Sequence, residues 1–132
     1  MDYATTLTIA LPYDQVLAAT REALAAEGFG IPAEIDTQAV FKAKLGLDSE
    51  RRVILGACMP KVAFEALQAD PSIATLLPCN VVVRETPGGA EIAAIRPTAY
   101  LALSDRFPEP EARRVEDALL RALDRLRRAV QP

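Results

Sequence analysis

Hydrophobic and polar positions change their period several times along the chain, and each change marks an element. Residues 6–11, TLTIAL, alternate polar and apolar as a half-buried first strand does. In PYDQVLAATREALAAEG, Val16, Leu17 and Leu24, with alanines around Thr20, recur at helical spacing, and Gly28 supplies a stop. FGIPAEIDT predicts a second strand. Because Pro32 cannot donate to a ladder, that strand belongs at an edge or carries a bulge. Thr37 can cap a short helix, QAVFKAKLG, that ends at Gly46. RRVILGA is the third strand, and its unbroken apolar run from Val53 predicts burial on both faces.

Pro60 stands where a first helical residue belongs, since its missing N–H would be unpaired there, and KVAFEALQA continues as a third helix that stops before Pro71. PSIATLLP is a short connection with one helical turn. CNVVVRE and AEIAAIR then read as two strands joined by the turn TPGG. PTAYLALSD fits either a short helix or a sixth strand. After FPEPEAR, the positions Val115, Leu119, Ala122, Leu126 and Val130 form the apolar stripe of a C-terminal helix. The order β-α-β-α-β-α-β-β-α, without repeat or linker, predicts one domain over residues 1–132. Its class is α+β, with a single predominantly antiparallel sheet and helices packed on one face.

A turn centred on Pro87 and Gly88 pairs Glu85 with Ala90 and Arg84 with Glu91. Val81, Val83, Ile92 and Ala94 then share one face; Val82, Ala93 and Ile95 share the other, with Arg84 and Glu91 towards the turn. Both faces are substantially apolar. If the helices cover only one, a second copy of the chain is the economical cover for the other, and a short helix is the alternative.

Composition removes several function classes. A formal net charge of -3 and a supply of four Phe, three Tyr and no Trp argue against a nucleic-acid binder. The chain has no histidine, which excludes Ser-His-Asp and Cys-His catalysis and histidine-containing zinc sites. No apolar run approaches the roughly 20 residues that span a bilayer, and the first residues lack the pattern of a signal peptide. The expected protein is cytoplasmic, bound to no membrane, with reduced thiols.

The two cysteines sit at element junctions. Cys58 directly precedes the third helix, whose N-terminus favours an anion, and Cys79 opens the fourth strand, opposite Arg96 if the hairpin register is extended. Either thiol could therefore be acidified. Reduced cysteine is also a small hydrophobe, so packing, a ligand or redox role, and metal binding all stay open, with packing leading. Two cysteines alone are too few for a closed zinc site, which would need both copies of a dimer. No metal or cofactor is expected.

Elsewhere, Arg114, Arg121, Arg125 and Arg128 share one stripe of the last helix, with Glu111, Asp117 and Asp124 close enough to make it a salt-bridged, solvated face. Lys61 could help Cys58 hold an anionic ligand. No phosphate-binding glycine motif and no recognisable carboxylate pair are present.

The block VILGACMPKVAFEALQADPSIATLLPCNVVVRE, residues 53–85, resembles the signature of the bacterial and archaeal family called domain of unknown function 302. Gly56, Ala57, Cys58, Pro60 and Lys61 match the first part of the family pattern, and Leu77, Pro78, Cys79, Asn80 and Val81 match the last. Met59 departs from it, standing where the family often has a helix-capping Asn. The resemblance implies a small α+β fold with a TATA-binding-protein-like sheet, often dimeric, and no established activity; the shape implies no DNA binding.

These readings converge on a homodimeric, non-enzymatic small-ligand-binding module. Its site would lie where GACMP and LPCN meet, with Cys58, Pro60, Lys61, Pro78, Cys79, Asn80 and Arg96 as binding residues for a small polar or anionic ligand. Two alternatives stand beside it. One is a thiol-based redox or sulfur-handling enzyme in which Cys58 attacks and Cys79 resolves. The other is a purely structural or interaction module.

Overall fold

A computed structural model describes residues 2–130. Five strands, β1 (Ala4–Ile9), β2 (Gly30–Asp36), β3 (Arg52–Cys58), β4 (Cys79–Thr86) and β5 (Gly89–Ile95), form one sheet in the order β1-β5-β4-β3-β2. Every neighbouring pair is antiparallel. The helices are α1 (Tyr13–Ala26), α2 (Thr37–Leu45), α3 (Pro60–Ala69) and α4 (Glu109–Ala129), and two 3-10 segments cover Pro71–Leu76 and Pro97–Ala102. Element order and sheet type are those the sequence predicts. The ambiguous segment after β5 is helical: Pro97 cannot extend a ladder, and the Ala99 N–H bonds the Arg96 carbonyl at 2.8 Å.

The sheet has one covered face. Val53, Leu55 and Ala57 of β3, Val81 and Val83 of β4, and Ala90, Ile92 and Ala94 of β5 are buried with Val16 and Leu24 of α1 and Leu119, Leu123 and Leu126 of α4. Antiparallel partners share a face, so the next row across the sheet runs Ile35, Ile54, Val82, Ala93 and Thr6 on the other side. There Ile54, Val82 and Ala93 are half-buried, while Ile35 and Thr6 are exposed. The apolar run of β3 is thus not buried on both faces. It reads as continuous because its open-face positions are apolar too.

β2 is the edge strand expected from Pro32, and its register shifts between Gly30 and Ala33. α2 is capped by Asp36, whose side chain accepts from the Ala39 N–H at 3.0 Å, and not by Thr37, which is its first residue. Gly46 closes it at φ 66. This β2–α2 unit buries little: Ile35, Leu45 and Leu47 are 49%, 63% and 58% exposed.

The arginine stripe of α4 is a salt-bridged face with one partner that spacing along α4 could not show. Glu27, just past α1, accepts from Arg121 Nε at 2.7 Å and also from Arg125. Arg114 pairs with Glu65 of α3 and Glu111, and Arg128 with Asp124. The two guanidiniums at Glu27 hold its carboxyl below the usual value.

Candidate functional site

The site forms where three junctions meet at one end of the sheet. Ala57 and Cys79 are direct cross-strand partners, so the ends of β3 and the start of β4 are adjacent. Pro60 is the first residue of α3, and Met59 is its N-cap without a side-chain bond, as a thioether requires. The 3-10 segment Pro97–Ala102 and the N-terminal turns of α4 close over this corner. Glu116 fastens that roof, accepting from the Thr98 N–H at 3.1 Å and the Thr98 hydroxyl at 2.6 Å.

Under the roof lies a cavity of about 30 Å³ whose wall includes Cys58, Met59, Cys79, Tyr100, Phe107 and Glu111, with alanine and valine side chains of α3 and α4. A water needs roughly 10–15 Å³, so the space suits one or two waters or an ion, whereas pockets for metabolites run to several hundred Å³. Tyr100 and Phe107 meet in a tilted arrangement, with ring centroids 5.2 Å apart. The same pair also borders an outer groove of about 180 Å³ with Asp70, Ser72, Thr75 and Arg106, so it partitions an inner apolar space from an outer polar one.

Burial favours the protonated form of both thiols. Cys79 is 6% exposed, and burial, followed by the nearby Cys58, pushes its pKa up to about 11. Burial also raises Cys58. The shifts run opposite to the acidification expected from the helix terminus and from Arg96, because desolvation is the main influence on both thiols. Arg96 faces elsewhere: its guanidinium lies 3.8 Å from Glu116 and its N–H bonds the Tyr3 carbonyl. Tyr100 is raised to about 12 by the same burial, then by Cys79.

Of the seven binding residues expected from sequence, only Cys58 and Cys79 line the cavity. Asn80 follows Cys79 on a strand and so points to the opposite, open face, where it is exposed. Pro78 packs its ring over Gly56, whose position has no room for a Cβ: one built there meets Pro78 Cγ at 2.6 Å. Pro60 and Lys61 are exposed on the outside of α3. The sequence did not mark Met59, Tyr100, Phe107 or Glu111 as lining a site. The last three lie more than 40 positions from Cys58 along the chain, and only Met59, beside it, carried a local signal.

A family model described as domain of unknown function DUF302 matches residues 4–126. The chain belongs to the DUF302 family. The solved structures similar to this DUF302 chain include the crystal structure of an uncharacterized conserved DUF302 protein from Bacillus stearothermophilus. That protein is 27% identical, with a TM-score of 0.85 over 96% of this chain and 99% of its own. No curated protein matches the sequence. The match to DUF302 spans both the GACMP and LPCN segments, and its description assigns no chemistry to them. Among the described residues, no helix is long and apolar enough to cross a membrane.

Proposed function

We propose that the chain is a non-enzymatic cytoplasmic binding module whose site is the cavity at Cys58 and Cys79. The observation that carries this reading is convergence: the two motif loops, 20 residues apart in sequence, border one small, partly open cavity. The apolar wall changes the expected ligand. Lys61, Asn80 and Arg96 take no part in the cavity, so an anion has no counter-charge there, and a small uncharged or soft species suits it instead. Raised thiol pKa values argue against the redox alternative, which needs an accessible thiolate. The test is an NMR titration of the labelled protein with xenon, a soft uncharged probe that small apolar cavities take up. Shifts grouped at Cys58, Cys79 and Tyr100 are expected; shifts elsewhere, or none, sink the reading.

A second copy of the chain is the proposed cover of the open sheet face. Two-fold symmetry sets a face against itself, so a face of one charge sign repels its own copy. Here the charges balance. Glu50 pairs with Arg52 and Arg84, and Arg84 with Glu91 at 3.1 Å, giving two positive and two negative groups beside the apolar row. Val82→Asp should give a folded monomer by light scattering while the parent is a dimer. A parent that is monomeric at all concentrations removes this proposal.

A further inference from the structure

The outer groove, beyond the Tyr100 and Phe107 rings, carries a chemistry the inner cavity lacks. Opposite charges meet in it: Arg106 Nε lies 3.5 Å from Asp70 Oδ2. A well-made charge-assisted bond is about 2.8 Å long, so this pair is a loose contact. Its two partners are held differently. The Asp70 side chain is 14% exposed, and its Oδ1 accepts from the Ser72 N–H at 3.1 Å as the cap of the Pro71–Leu76 segment. The Arg106 side chain is 69% exposed, while its backbone N–H is tied to Ser104 Oγ at 3.1 Å. A carboxylate offers roughly four lone-pair sites and a guanidinium several N–H groups, so both keep capacity for a ligand. Beside them the Thr75 hydroxyl donates to the Ser72 carbonyl at 2.8 Å, which leaves its oxygen able to accept. The groove is also bordered by apolar residues, among them Leu103, which is 72% exposed.

We propose that the outer groove binds a free apolar α-amino acid, its ammonium group on Asp70 and its carboxylate on Arg106. The inference goes beyond the inner cavity and does not rest on that cavity being occupied. Charge selects the class. A zwitterion meets both members of the pair and adds no net charge, whereas an anion alone leaves Asp70 facing a like charge and a cation alone does the same to Arg106. Opening the pair costs little, because a solvent-exposed ion pair stabilises little. Size selects further. The groove holds about 180 Å³, and at roughly 30 Å³ of liquid per water that is the share of about six waters. One amino acid such as leucine is of that order, and a dipeptide is too large. Its side chain would cover Leu103 and the outer side of the aromatic pair, which gives apolar amino acids the advantage over polar ones.

The experiment is an NMR titration of the labelled whole chain with L-leucine, with isopentylamine, which lacks the carboxylate, and with 4-methylpentanoate, which lacks the ammonium. Leucine should shift the amides of Ser72, Thr75 and Arg106 to saturation, and each analogue should bind about tenfold more weakly or worse, as the loss of one charged partner implies. Asp70→Asn keeps a capping side chain, since Asn caps as well as Asp, and should weaken leucine binding by about tenfold or more. Arg106→Gln should do the same, and Lys61→Ala, on the outside of α3, should leave it unchanged. If Asp70→Asn fails to fold, the exposed Arg106→Gln and the analogue series on the parent decide. Absence of saturable shifts with leucine, an analogue that binds as tightly as leucine, or affinity unchanged by Arg106→Gln overturns the proposal. Xenon shifts judge the inner cavity separately.

Discussion

Cys79 in the native protein should react with a disulfide reagent at pH 8 at least twentyfold more slowly than an unfolded-chain thiol. With a pKa of about 11, its thiolate is roughly one part in a thousand at that pH, against about a quarter for a free cysteine near 8.5. The resulting factor of about two hundred is offset roughly tenfold by the greater nucleophilicity of a more basic thiolate. Burial then slows access further. The sign follows from desolvation: burial disfavours the charged form, so the rate should climb about tenfold per pH unit until near 11, without a plateau around 8.5. Cys58, half-buried at the cavity mouth, should label first. Reaction followed by mass spectrometry between pH 7 and 11 checks both. A Cys79 midpoint below 9 would revive the redox alternative and contradict the enclosure.

Leu55→Ala should destabilise the domain by about 2–5 kcal/mol, the range for emptying a fully buried leucine site. Leu55 is 0% exposed, in the covered face, directly across from Val81 of β4. Against a total stability of about 5–15 kcal/mol, that is a third or more of the whole for a marginal domain. Its neighbour makes the argument one of faces. Ile54 points to the open side, so Ile54→Ala should cost about 1 kcal/mol or less in the monomer, and more only where a second copy covers it. Urea midpoints for both variants, at low and high protein concentration, give the comparison. Equal costs at low concentration would mean that the sheet is covered on both sides.

The fold was legible because its signals are local. Alternation fixed β4 and β5, the turn residues fixed the register, and the structure pairs Arg84 with Glu91 and Glu85 with Ala90 as the turn demands. Pro60 marked the start of α3 for a backbone reason that no tertiary contact alters. The site was legible only in its two cysteines. Asn80 could have been excluded from the sequence, since a residue next to Cys79 in a strand must face away from it. The roof could not have been anticipated: Tyr100 and Phe107 belong to a connection with no periodicity, and what places them is Glu116 bonding Thr98 across 18 positions. Arg96 was misplaced for the same reason. Its charge goes to a helix that register arithmetic does not see.

The β2–α2 unit bears on how the molecule fluctuates. Cooperative units separate where few apolar contacts tie a segment to the rest, and Gly30–Leu45 is such a segment: besides one ladder and Ile31 packed against the core, its ties are polar, among them the Arg21–Glu34 and Lys42–Asp48 pairs and the bonds from Thr37 to the Arg52 carbonyl and from Gln38 to the Ser49 carbonyl. Releasing it leaves β1, β5, β4 and β3 with α1 and α4 still packed, so the hairpin-centred core and this flap are separate energetic units. Such a flap can swing out alone, and its amides would exchange with solvent long before the molecule as a whole unfolds.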